Sequence, residues 1–355
     1  MNEVYTVKSI QLLCKIISFQ INKLLINYFL LMESKKMKNF FACIIFFILF
    51  TCISIAQSNV ATTSQTGQFN EAFVEQLGST NIAEIVSTGN YNLDNSNNSH
   101  VFKVPHTSLK YLGPMLAKGI TQQGDLNEAH ITQSFNNGTA GIGQSGNHDL
   151  STIIQDDPSH TAGSNHSAWV DQLNGNYNKS YQSQSGLGEI SYIRQYGSRN
   201  NIHMEQYDYA SNEAVQKGNY NNLTQYQIGT TAPVDGVWNT ANAYQIGSRN
   251  YAVQNQDGNS NNSLITSRGK YNGVLGDEIK TDQVGNSNSA SIEEGLLGVV
   301  NYSLASVNQS GNLQTATVSQ EAGDYNEARI NQTSLSNTAH VYQNGPSNYS
   351  IVTQH

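Results

Sequence analysis

Side chains able to do covalent or metal chemistry are few in this chain and stand without a working spacing. His100, His106, His160 and His166 are ligand types, but none stands at a helical four-residue interval beside a carboxylate, as a helix-borne metal site requires. Asp156 and Asp157 are adjacent carboxylates, yet they precede Pro158 and read as a turn rather than as an acid/base pair. No catalytic group, metal or cofactor is therefore expected. What does recur at a fixed interval is the carboxamide. Each Gln or Asn offers two N–H donors and a carbonyl acceptor, so amides held one above another can hydrogen-bond to each other.

The interval is eleven residues. Gln65, Gly67, Asn70, Ala72 and Gln76 run into Gln76, Gly78, Asn81, Ala83 and Ser87. The same order returns as Gln122, Asn127 and Gln133, and as Gln245, Asn250 and Gln256. It returns again from Gln309 to Gln320 with Gln314 in place of Asn, and then as Gln332, Asn337, Gln343, Asn348 and Gln354. Looser copies keep the spacing: Gln133 to Gln144 to Gln155, Gln184 to Gln195 to Gln206, Gln216 to Gln227, and Gln256 to Ser267. A low-complexity Asn/Gln tract would show the composition without this register.

Stepping from the amides to the elements that must hold them, the alternation within each unit has period two, as a half-buried strand requires. Ala129, Ile131 and Gln133 share one face, as do Ser151, Ile153 and Gln155, Ala168, Val170 and Gln172, and Ala328, Ile330 and Gln332. The Gly-x-x-Asn segment supplies a turn, with Asn expected to accept the left-handed region and to bond its own backbone. Each unit is thus a strand of about seven residues and a turn of about four. The expected fold is all-β: a flattened two-sheet β-solenoid of 11-residue strand-turn units, with 22 residues per rung. About 13 rungs at about 4.8 Å give a body about 60 Å long. Stacking places Gln122 beside Gln144, Gln184 beside Gln206 and Gln332 beside Gln354, so inward amides form axial ladders.

The expected domain plan begins with residues 1–36 as an upstream start and basic segment and residues 37–56 as a signal peptide. The latter combines an apolar run from Phe40 to Phe50 with small residues at Ser54 and Ala56. Residues 57–64 form a short N-terminal segment, and residues 65–355 are the repeat domain. Loop interruptions are expected near 95–121, 156–160, 230–238, 275–282 and 295–308, several of them marked by proline. All three cysteines, Cys14, Cys43 and Cys52, precede the expected cleavage after Ala56, so the mature chain has no disulfide.

Charge narrows the partners. Formal net charge is -8, and the first 56 residues hold six Lys and two Glu, leaving 12 basic and 24 acidic residues. A net field of that sign argues against nucleic acid. Glu293 and Glu294, at and beside an inward Gln position, are expected to repel along a ladder and slow nucleation. Tyr181, Tyr192, Tyr196 and Tyr207 point outward by the alternation and suggest an adhesive aromatic surface.

The in-phase Gln, Gly, Asn, Ala, Gln copies from Gln65 to Gln354 resemble the curlin-type repeats of curli, a functional amyloid of bacterial biofilm matrix. The resemblance implies secretion through a dedicated outer-membrane channel, assembly on the surface of a Gram-negative bacterium, and self-association with a nucleator subunit as partner. By residue matching it assigns the polymerisation-ladder positions to Gln65, Asn70, Gln76, Asn81, Gln122, Asn127, Gln133, Gln245, Asn250, Gln256, Gln343, Asn348 and Gln354. The chain is longer than familiar curli subunits, its copies are interrupted, and only Gln57 to Ser64 precede the first repeat. Two functions follow: a structural fibre subunit that adds strands to an open sheet edge, or a monomeric solenoid adhesin. Repeats that reach both ends without polar caps favour the fibre. An enzyme on a parallel β-helix lacks clustered carboxylates on one face.

Overall fold

The computed structural model describes residues 59–67, 70–88, 119–134, 138–156, 166–229, 238–273, 278–295 and 300–355. The signal-peptide and upstream-start expectations for 1–56 lie outside the described residues. The described chain is all strand and turn, with two parallel sheets and no helix. Successive strands alternate between the sheets. The first sheet stacks twelve strands, from Val60–Thr66 through Ile82–Thr88 and Glu128–Ser134 to Tyr349–Gln354. The second stacks eleven, from Val74–Leu77 through Ile120–Gln123 to Thr338–Asn344, with the two-residue strand Val300–Asn301 beside Gly269–Lys270. The stack is therefore eleven rungs and one further strand, shorter than the thirteen rungs expected.

Register is set by burial. A one-residue slip would turn every inward side chain to solvent, and the strand Glu128–Ser134 buries Ala129, Ile131 and Gln133 while its other residues face out. Ala, Ile and Val from both sheets interdigitate in one continuous core, with Ile85, Ile131, Ile153, Ile202, Ile265 and Ile292 fully buried. Insertions do not disturb this. Gln76 pairs with Gln122 across 46 residues, and Gln122 with Gln144 across 22. The insertions fall between strands in the sequence, and the register is the same on either side of them.

Several expected boundaries move. Val60–Thr66 is a strand paired in parallel with Ile82–Thr88, so the stack starts inside the expected 57–64 segment. Ile279–Val284 is a strand where the 275–282 interruption was expected, because Ile279, Thr281 and Gln283 are all buried and alternate inward. Leu304–Asn312 likewise begins inside 295–308, carried by buried Ala305, Val307 and Gln309. Ile120–Gln123 begins inside 95–121. Residues 89–118, 157–165 and 230–237, which hold the remaining expected loops, lie outside the described residues.

The turn works differently from expectation. Glycine takes positive φ, +120° at Gly124 and +124° at Gly247, but the second left-handed residue is the one before Asn: Leu126, Arg199, Arg249 and Ser260 have φ of 59–60°. That Asn stays out of the left-handed region yet still bonds its own turn, as from Asn200 to the Tyr196 carbonyl, and also reaches the next rung, as from Asn200 to Gly218.

Candidate functional site

The axial amides form two glutamine columns, one per sheet. In the second sheet Gln76 donates to Gln122 (2.8 Å), Gln122 to Gln144 (2.8 Å), Gln144 to Gln172 (2.9 Å), Gln172 to Gln195 (2.9 Å) and Gln195 to Gln216 (3.0 Å). Gln216 donates to Gln245 (2.7 Å), and after two substituted rungs Gln320 donates to Gln343 (2.9 Å). In the first sheet Ser87 donates to Gln133, and the column runs on through Gln155, Gln184, Gln206, Gln227, Gln256, Gln283, Gln309 and Gln332 to Gln354. Gln65 stands in register with Ser87 on an exposed strand.

Most of these amides use their second N–H as well. Gln144 Nε2 also donates to the Glu128 carbonyl, Gln195 to Lys179 and Gln309 to Ser289, each on the facing sheet. One hydrogen thus binds the rungs along the axis and the other ties the two sheets together. A buried amide left without partners costs about 1–3 kcal/mol, so the two bonds explain how a polar residue can occupy every inward strand end. Among the described residues the axial glutamine–glutamine bonds run one way, from Nε2 of one rung to Oε1 of the next toward the C-terminus.

A third column follows the corner by which the chain passes from the second sheet to the first. Asn81 Oδ1 accepts from the Asn127 backbone N–H, Asn127 from Asp149, Asp149 from Asn178, and so on through Asn200, Asn221, Asn250 and Asn272. Ser303 and Asn326 continue it to Asn348. Asn Nδ2 donates to the neighbouring turn, as from Asn127 to the Gly146 carbonyl (2.9 Å). The opposite corner is less regular. Asn239, Asn261, Asn288 and Gln314 form a column there, while exposed Asn70 and Asn337 donate to their own turns, at Thr66 and Thr333.

Gln172, Gln216 and Gln227, read from the sequence as inward or in phase, join the columns; missed in the sequence are Gln283, whose unit lacks the full motif, and a second inward amide set. Gln182, Gln225 and Gln254 replace the β-branched residue and are fully buried, with Gln225 donating to Gln254 at 2.6 Å. The signal was present as Gln-x-Gln at 182–184, 225–227 and 254–256.

Charged side chains also enter the stack. Glu294 occupies a glutamine position between Ser267 and Gln320, while Glu293 faces outward. No like charge adjoins Glu294 along its column, so the expected repulsion does not arise there. Burial pushes its carboxyl up to about 8, and the Ser267 hydroxyl donates to it at 3.3 Å. Asp149 fills an Asn position, and burial raises it to about 7 against the lowering effect of Asn178. His166 pairs with Glu189 where the opposite corner elsewhere carries Asn, both side chains fully buried. His100, His106 and His160 lie outside the described residues, within which no cluster of three or more potential metal ligands occurs. The four tyrosines expected to share a surface divide between the sheets. Tyr181 stacks on His203 and Tyr207 meets Tyr226 on the first, while Tyr192 and Tyr196 flank Arg194 on the second.

The arrangement holds amides in register and offers strand edges; its chemistry is hydrogen bonding along one axis. No curated protein matches the chain. The family model of the curlin associated repeat matches residues 56–89 and 303–333, near the two ends of the described stack. That match falls on a parallel two-sheet stack of in-register amides, so the chain carries curlin-type repeats at residues 56–89 and 303–333.

Proposed function

We propose that the chain is a secreted structural subunit of an extracellular curli-like amyloid fibre, growing by templated addition of strands and serving in biofilm matrix and adhesion. The observation that carries this reading is the translational sameness of the amide columns. Each rung presents to the next the groups it received from the one before, so another copy can extend the columns without new chemistry. The uniform bond direction makes growth head-to-tail. Gln343 and Gln354 each donate to a carbonyl of the facing sheet and leave one amide hydrogen for a following copy, while Gln76 has no axial donor among the described residues. Among the described residues Tyr349–Gln354 pairs only with Glu327–Leu335, and Val60–Thr66 only with Ile82–Thr88. Such edges recruit strands. The partners are a second copy of the chain, a nucleator subunit and an outer-membrane secretion channel, at the surface of a Gram-negative bacterium.

The test is seeding. The chain is purified denatured, diluted into buffer, and its fibres fragmented into seeds. Gln343→Ala with Gln354→Ala removes one ladder position from each sheet at the C-terminal end, and should lower seeding more than Gln216→Ala with Gln227→Ala does. Equal effects would contradict end growth, and a monomer that persists for days would favour the adhesin.

A further inference from the structure

The corner that carries the continuous asparagine column also carries a stack of aromatic and guanidinium groups, one from each turn. His148 stacks on Tyr177 at 4.6 Å. Arg199 lies between Tyr177 and Tyr220, at 5.7 and 5.2 Å, and Arg249 between Tyr220 and Tyr271, at 5.5 and 5.1 Å. Tyr271, Tyr302 and Tyr325 continue as stacked rings, 4.9 and 5.1 Å apart. All eight are the left-handed residue of their turn, which points each side chain away from the core at the same place in every rung. Tyr177, Tyr220, Tyr302 and Tyr325 are exposed, as are Arg199 and Arg249.

Charge is sorted along this edge. Five successive turns, residues 173–180, 196–201, 217–222, 246–251 and 268–273, each hold a cation: Lys179, Arg199, Lys217, Arg249, and Arg268 with Lys270. None of the five holds Asp or Glu. The two turns before them on the same corner hold Asp125, Glu128 and Asp149; after them the described part of the Tyr302 turn, residues 300–304, holds no acid, and the next turn holds Asp324 and Glu327. None of the six cations has a carboxylate partner among the described residues, whereas Lys280 pairs with Asp282 and Arg329 with Glu327. At about 4.8 Å per rung the cations line roughly 20 Å of edge, and turns on neighbouring rungs lie within one Debye length, about 8–10 Å, at ordinary ionic strength. The negative whole-chain charge that argued against nucleic acid does not describe this edge.

We propose that the corner from Tyr177 to Lys270 is a binding edge for a linear acidic polysaccharide, whose carboxylate or sulfate groups are spaced along a polymer that lies parallel to the stack. Guanidinium forks suit such oxyanions, and here each fork is held by the rings above and below it. Arg199 donates to the Tyr220 hydroxyl and Arg249 to that of Tyr271, which fixes the planes and leaves the outer N–H edges for a ligand. Single-stranded nucleic acid is the poorer fit. Its affinity draws on bases stacking against free aromatic faces, and the rings between Arg199 and Tyr302 have both faces covered by their neighbours. The site is complete within one chain and does not depend on fibre growth.

The test is binding of the full chain to polygalacturonate, with neutral dextran and a thymidine oligonucleotide as competitors, across a salt series. Polygalacturonate should bind with an affinity that falls as salt rises, and dextran should not compete. Arg199→Gln with Arg249→Gln should weaken binding on the order of tenfold, the scale of one lost charged hydrogen bond, and should lower the salt dependence. Lys280→Gln with Arg329→Gln removes the same charge from the outer face of the first sheet and should change affinity by about twofold or less. Lys217→Gln with Lys270→Gln, whose side chains take no part in the stack, should reproduce the loss and decides the matter if the arginine variant does not fold. Equal losses from edge and face variants, no binding of polygalacturonate, or stronger competition by the oligonucleotide would each overturn the proposal.

Discussion

Glu294 and Asp149 are single carboxyls standing where the columns otherwise hold amides. A carboxyl raised from 4.5 to about 8 keeps its proton in the folded chain over a range where the unfolded chain has lost it. Its stabilising contribution is therefore full below the unfolded value and is lost as pH rises through about 8. Asp149 acts in the same direction, with its loss complete above about 7. Glu294→Gln should remove the first dependence and stabilise the chain by about 1–3 kcal/mol at pH 9, read as a higher denaturation midpoint, with little change at pH 4. A variant whose midpoint tracks that of the parent between these pH values would show that Glu294 is not held neutral. Asp149→Asn should act likewise, since it supplies the Nδ2 donor that other members of its column aim at the next turn. At this scale the sequence was informative wherever the full motif stood. The amides at Gln122, Gln133, Gln245 and Gln256 were legible from spacing alone, and each makes axial contact in the structure. Gln225 and Gln254 were not, because an amide in a β-branched position breaks the pattern that identifies the face, and only the neighbouring rung shows that the two satisfy each other.

Among the elements, the turn controls the repeat. Gly247 at φ +124° lies so close to the next rung that an added Cβ would stand 1.8 Å from the Gly269 carbonyl oxygen. Gly247→Ala combines left-handed strain with a backbone clash, and should cost on the order of 3 kcal/mol. Ser248→Ala, one residue on, should cost less than about 0.5 kcal/mol. Assembly lag times of the two variants check this, and similar lags would place the limiting constraint elsewhere than in the turn. Strand and turn lengths were readable because alternation and Gly-x-x-Asn punctuate each other. The missed strand Ile279–Val284 has the alternation, but residues 273–278 separate it from the Gly269–Asn272 turn motif, and that insertion hid the phase. The corner stack was written in the sequence as Asn176-Tyr177-Asn178, Ser198-Arg199-Asn200, Asn219-Tyr220-Asn221 and Ser248-Arg249-Asn250. Its meaning depended on knowing that the residue before Asn, rather than Asn itself, takes the left-handed conformation and points outward.

For the whole molecule, the parallel stack explains why low charge and abundant amides make a folded body instead of a disordered tail: axial bonding satisfies what composition alone would leave unpaired. Whole-chain charge was misleading because six of the cations after residue 56 fall in five successive turns of one corner that hold no Asp or Glu. The first sheet has one strand more than the second along the stack, so a head-to-tail junction leaves one strand position in the second sheet to be filled from outside the described residues. One chain forms many rungs, and the mass per unit length of assembled fibres reads that number. Twelve strands in the first sheet set one chain per roughly 58 Å of fibre at about 4.8 Å per strand. Dark-field electron microscopy, calibrated with the subunit mass from mass spectrometry, should return a value near one chain per 60 Å, alongside a meridional reflection near ~4.8 Å. One chain per strand spacing, about 4.8 Å, would contradict the solenoid.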